Sequence, residues 1–137
     1  GVHINGICSL DFSSTGTLLL SVGIDNDHTI AVWKWETGTL LAKANGHTQR
    51  IFLAEFRPDS DSIFVNVGVK HVKFWTLAGS ELIAKRGRIP SDFVNQPRMT
   101  TMLSVAFCTV RDYFYLFFSY GEGSFPAGSP VPYFPID

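Results

Sequence analysis

The 137-residue chain has the length of a single domain, with 45% of its residues apolar and 17% charged. A net charge of −1 excludes a strongly basic nucleic-acid-binding protein on bulk electrostatics. No secretory signal is visible. The longest apolar cluster, Tyr113–Tyr120, is far short of the roughly 20 residues a membrane helix needs, so neither a nucleic acid nor a membrane is an expected partner.

In chain order, Ile7–Phe12 reads as a strand and Ser13-Ser14-Thr15-Gly16 as a turn. Thr17–Val22 is the next strand, its Leu18-Leu19-Leu20 run implying cover on both faces. Gly23–His28 is a turn, Thr29–Lys34 a strand, Glu36-Thr37-Gly38 a turn and Thr39–Ala44 a fourth strand. The same series returns at Ile51–Phe56, Ser62–Val67, His71–Thr76 and Glu81–Lys85. Arg57-Pro58-Asp59 and Ala78-Gly79-Ser80 supply its turns. Residues 86–101 read as a connector, and Met102–Phe107 aligns with Ile7–Phe12 as the opening strand of a third series. After Phe107 the pattern stops. Pro126, Pro130, Pro132 and Pro135 argue against central strands, so residues 108–137 are expected to be a divergent tail, aromatic and then Pro/Gly-rich, poorly ordered beyond about Gly121. Nothing supports a long helix.

The two series are copies of one unit. His3 to His47, Ile7 to Ile51 and Phe12 to Phe56 are each 44 residues apart; Gly23 to Gly68 is 45 and Trp33 to Trp75 is 42. The length changes fall in turns, where they are tolerated. A repeat of this length that ends on Trp is the mark of a WD40 propeller blade. The expected fold is therefore all-β: a WD40 β-propeller fragment with two four-stranded antiparallel blades, residues 1–46 and 47–86, then a connector and the first strand of a third blade over 87–107, then the 108–137 tail. The chain starts with Gly1 and enters its first strand at once, so it reads as an internal stretch of a longer protein.

The first copy carries the residue types that link His, Ser, Asp and Trp across a WD40 blade, namely His3, Ser21, Asp25 and Trp33. A buried imidazole, hydroxyl, carboxylate and indole N–H must each find a partner. Ser, His and Asp also spell a hydrolase triad, but no Gly-x-Ser-x-Gly elbow is present and Ser21 lies within a strand. The structural reading is preferred, no residue is assigned as catalytic and no enzyme is expected. In the second copy His47 and Trp75 keep their places, Asn66 replaces Ser21, and Lys70 falls two residues after Gly68, where Asp25 stands in the first. Its polar network cannot be the same.

His3, His28, His47 and His71 recur one pair per copy. Repeat-spaced residues sit on different blades, whereas a metal needs ligands converging on one point; no metal is expected. Gly121-Glu122-Gly123 lacks the Lys-Ser/Thr of a phosphate loop, and no cofactor is implied. Cys8 and Cys108 form no CxxC and read as free thiols of a reducing compartment. From Ser62 to Arg88 there are five basic residues, Lys70, Lys73, Lys85, Arg86 and Arg88, against Glu81 alone. This run is either a solvated face or a surface for an acidic partner.

Two segments are more specific than a bare repeat. Ser21-Val22-Gly23-Ile24-Asp25 followed by His28-Thr29-Ile30-Ala31-Val32-Trp33-Lys34-Trp35, and Gly68-Val69-Lys70-His71-Val72-Lys73-Phe74-Trp75, resemble the echinoderm microtubule-associated protein-like family. Ile4–Phe12 looks most like its long members with tandem propellers, and the resemblance covers residues 1–107. It implies a non-catalytic, cytoplasmic and cytoskeletal protein whose propellers bind tubulin or microtubules. A generic adaptor for another protein or peptide is the alternative, and a propeller hydrolase using Ser21, His3 and Asp25 a more remote one.

Overall fold

The computed structural model describes residues 1–87, 102–110 and 113–120. It contains two four-stranded antiparallel sheets, each ordered as in the sequence. The first, blade one, comprises β1 (Ile7–Phe12), β2 (Leu18–Gly23), β3 (Thr29–Lys34) and β4 (Thr39–Asn45). The second, blade two, comprises β5 (Ile51–Phe56), β6 (Ile63–Gly68), β7 (His71–Ala78) and β8 (Glu81–Arg86). Each of these eight strands lies within two residues of the span read from the sequence. Three hairpin turns place Gly16, Gly38 and Gly79 at φ 76°, 69° and 65°, a conformation that glycine adopts without steric cost.

The two blades are stacked, and the core is the layer between them. Blade one contributes Leu18, Leu20, Val22, Ile30 and Val32; blade two contributes Ile51, Ala54, Phe56, Phe64 and Trp75. Phe64 meets Phe56 edge-on at 5.6 Å and lies parallel to Trp75 at 6.0 Å. Each such aliphatic or phenyl side chain stabilises the stack by about 1.5–3 kcal/mol relative to exposure. Polar pegs cross the same layer. The Ser9 hydroxyl accepts from Ala54 N at 3.0 Å, and Ser9 also reaches Ala54 O at 3.3 Å. Asp11 accepts from Phe56 N at 2.7 Å. These contacts satisfy backbone groups on the edge of β5 that no neighbouring strand pairs. Burial pushes the Asp11 carboxyl above its ordinary value, and the Phe56 N–H offsets part of that. On the exposed rim, Asp61 accepts from the Thr15 amide at 3.0 Å and the Thr15 hydroxyl at 2.6 Å.

Alternation along the strands places Val65, Val67 and Val72, all at most 1% exposed, on the opposite face of blade two. A hairpin of β9 (Met102–Val110) and β10 (Tyr113–Tyr120) packs there, with β9 against β5 and β6. β5 sits against β1 and β2 in the same manner. The opening strand expected at Met102–Phe107 thus runs on to Val110. β10 falls within the stretch read from sequence as a divergent tail, where an aromatic run of strand-forming residues supplies a pairing partner. Arg88 and the residues beyond Tyr120 lie outside the described residues.

Blade one's own outer face is uncovered. Ile7, Leu10, Phe12 and Trp35 are 51%, 58%, 54% and 45% exposed, while the counterparts Ile51, Ala54 and Phe56 of blade two are buried against blade one. A shallow apolar cavity of about 280 Å³ lies on this face, bordered by Leu10, Leu19, Trp33 and Trp35.

Candidate functional site

In blade one the sequence-predicted residues converge. Trp33 Nε1 donates to Ser21 Oγ at 2.9 Å, and Ser21 Oγ lies 2.7 Å from His3 Nε2. His3 Nδ1 stands 4.0 Å from Asp25 Oδ2, beyond hydrogen-bond reach, and both atoms are buried without a partner among the described residues. Asp25 instead spends its other oxygen on the turn, accepting from Asp27 N, Thr29 N and Thr29 Oγ1 at 3.2–3.3 Å. Burial pushes its carboxyl up, but these donors and His3 outweigh it and hold the pKa below the ordinary value. His3 is lowered by burial, with Asp25 opposing. Gly23 makes the convergence possible: a Cβ there would lie 2.5 Å from His3 Nδ1 and 2.6 Å from Asp25 Oδ2. Ser21 is 2% exposed, and its oxygen is held by two side chains. It presents no nucleophile to solvent.

Blade two ties its Trp by another route. Trp75 Nε1 donates to Asn66 Oδ1 at 2.6 Å, and Asn66 Nδ2 donates to His71 Nε2 at 2.9 Å. His71 Nδ1 then donates to Val69 O at 2.9 Å. This one-way chain requires a neutral His71. Burial lowers its pKa, the Val69 carbonyl opposes, and Lys73, His28 and Arg86 lower it further. His47, which the repeat placed in this network, is not in it; its ring stacks on His71 with centroids 3.7 Å apart. The reason is a shortened turn between β6 and β7. Lys70 and His28 are structural equivalents: each lies five residues before its Trp, and both have positive φ, 56° and 48°. Lys70 therefore does not occupy the place of Asp25, which has no counterpart in blade two.

The connector between blades forms the second candidate site. His28 Nδ1 donates to His47 O at 2.8 Å, Gly46 N donates to Asp27 O and His28 O, and Lys73 Nζ donates to Gly46 O at 2.7 Å. A polar cavity of about 230 Å³ opens here, lined by Asn26, Asp27 and Asn45 from blade one, His47 and Thr48 from the connector, and Lys73 and Arg86 from blade two. Of the five basic residues singled out in the sequence, Lys73 and Arg86 reach this cavity. They face each other directly across β7 and β8. Lys85, one residue earlier, points to the other face, and Lys70 is exposed on its turn. Lys73 is lowered by burial and by Arg86. His47 is lowered to about 4 by burial, His71, Lys73, Arg86 and His28. Sequence reading missed this convergence. It also missed Ser9, Asp11 and the network role of His71.

Among the described residues no group of three or more His, Cys, Asp or Glu side chains is placed to hold a metal ion, and no helix is long and apolar enough to cross a membrane. Cys8 is a free thiol, raised by burial, whose Sγ contacts Ile51 O at 3.5 Å.

No family model matches the chain. It is 37% identical over 95 residues to human echinoderm microtubule-associated protein-like 1, covering 69% of this chain and 11% of that protein. It is 29% identical over 109 residues to the 77 kDa echinoderm microtubule-associated protein of Lytechinus variegatus, covering 78% of this chain and 16% of that one. The chain thus spans a small part of the length of these relatives. Among solved structures, the Cps50 (Swd1) β-propeller domain of Myceliophteria thermophila matches with a TM-score of 0.63 and 13% identity, over 82% of this chain and 35% of that one. That likeness establishes a β-propeller arrangement of the blades.

Proposed function

We propose, on the premise that this chain is a WD40-propeller relative of the echinoderm microtubule-associated protein-like proteins, that it is a non-catalytic interaction module whose partner is tubulin or the microtubule, acting at the cytoskeleton. The observation that carries the reading is the match, over 69% and 78% of the chain, to relatives named as microtubule-associated. Support for a non-catalytic role comes from Ser21, the serine of the Ser-His-Asp set, which is buried and bonded on both sides. Co-sedimentation of the 137-residue chain with polymerised tubulin tests the proposal. Saturable pelleting is expected; a chain that stays in the supernatant at every tubulin concentration, while remaining folded by circular dichroism, overturns it. The second reading, an adaptor for a non-tubulin protein or peptide, is favoured by the size of the polar cavity between the blades, which suits a single side chain.

A further inference from the structure

The cavity at the blade junction carries an energetic cost that blade two's fold does not require. Lys73 and Arg86 are direct cross-strand partners, and like charges in that position destabilise a sheet. Among the described residues neither forms an ion pair. The bond of Lys73 to Gly46 O and the Trp75 ring, 5.7 Å from its ammonium, place its charge at the cavity. His47 closes the same wall, and the one acidic group on the lining is Asp27, on the exposed turn opposite. The Thr48 hydroxyl and the amides of Asn26 and Asn45 add hydrogen-bond donors around the rim.

We propose that this cavity receives a side-chain carboxylate of an acidic peptide segment, with Arg86 and Lys73 as its two cationic contacts and His47 as a third donor. The inference rests on the reading of the chain as a protein-interaction module and names the partner chemistry of one site on it. A volume of about 230 Å³ is below the roughly 300–1,000 Å³ of small-molecule pockets; it takes one short side chain, so affinity must come from a peptide that continues across the surface. The planar guanidinium of Arg86 matches a carboxylate in two-point geometry. Because Arg86 is exposed, it can be changed without opening the core.

The test is fluorescence anisotropy of a labelled octaglutamate peptide titrated with the 137-residue chain at low salt, with octaglutamine as control. Octaglutamate is expected to bind and octaglutamine not. Arg86→Glu should weaken binding about tenfold or more, Asp27→Asn should strengthen it two- to threefold, and Lys85→Glu, on the other face, should change it less than twofold. Equal losses for Arg86→Glu and Lys85→Glu would overturn the site, since they would reveal only diffuse charge attraction. So would tighter binding of a single-stranded oligonucleotide of equal charge. Binding of the peptide by a chain that ignores polymerised tubulin would sustain the cavity and remove the tubulin reading. Pelleting with tubulin that Arg86→Glu leaves intact, with no octaglutamate binding, would do the reverse.

Discussion

Blade one and blade two share strand order, the register of their first three strands and the position of a tryptophan, yet each holds that tryptophan by different means. Blade one brings a histidine from before its first strand to Ser21, and a carboxylate from its β2–β3 turn stands near by. Blade two has lost three residues from the corresponding turn, and with them the carboxylate. It takes a histidine from the start of β7, and Asn66, longer than Ser21, spans the gap. The indole N–H is satisfied in both. What the fold demands is a partner for a buried donor, and several side chains can meet that demand.

The largest contrast should come from removing the two tryptophans. Trp75 is 3% exposed within the inter-blade layer, whereas Trp33 borders the uncovered face. Trp75→Ala should cost about 3–5 kcal/mol, and Trp33→Ala about half as much, read as shifts of the urea midpoint. Equal shifts would mean that Trp33 is as well covered as its twin.

Glycine substitutions sharpen the comparison at the turns. A Cβ at Gly68 would lie 2.1 Å from Arg50 O and 2.9 Å from Ile51 Cα, both backbone, while one at Gly23 meets the side chains of His3 and Asp25. Gly68→Ala should cost about 3 kcal/mol or more, and Gly23→Ala about 1–3 kcal/mol. Thermal unfolding of the two variants side by side decides this, and a costlier Gly23→Ala would reverse the assignment.

Breaking the networks should have a smaller effect. Asn66→Ala strands a fully buried indole N–H and His71, at about 1–3 kcal/mol. Ser21→Ala, beside the open face, should cost less because water can reach the freed groups. Denaturant midpoints that rank the two variants the other way would contradict the burial difference.

The smallest expected contrast is in pH dependence. Folding holds His47 at about 4 and lowers His71 and His3 from 6.5. Below pH 6.5 the unfolded chain therefore binds protons that the folded one refuses. Stability is fully present above that value and is lost as pH falls toward 4. The groups facing His47 are His71, Lys73, Arg86 and His28, with Asp27 across the cavity. His47→Gln should thus lose less stability between pH 7 and pH 5 than the parent chain; an identical loss would place the titration elsewhere.

Strands and turns were legible in the sequence because they are written locally, in β-rich runs and glycine turns, and because two copies could be checked against each other. Ser21, Trp33 and Trp75 were legible for the same reason. The role of His71 was not, since counting from Gly68 set Lys70 against Asp25; counting back from Trp75 sets it against His28, as the backbone does. The junction cavity was half legible. The excess of basic residues was visible, but Lys73 and Arg86 converge through cross-strand register and His47 through blade stacking. A parity rule from Trp75 would have put Lys73 on the inner face. Ser9 and Asp11 gave no signal, because their partners are backbone groups of the next blade.

Those two residues have a mechanical consequence. An apolar layer resists separation but offers little resistance to sliding, since one methyl group is much like another. Ser9 and Asp11 grip specific peptide groups of β5, so they index one blade against the next as teeth index a gear. In a ring of stacked blades any slip would be repeated at each junction and summed around the circle. Two short polar side chains are thus enough to set the pitch on which closure of such a ring depends.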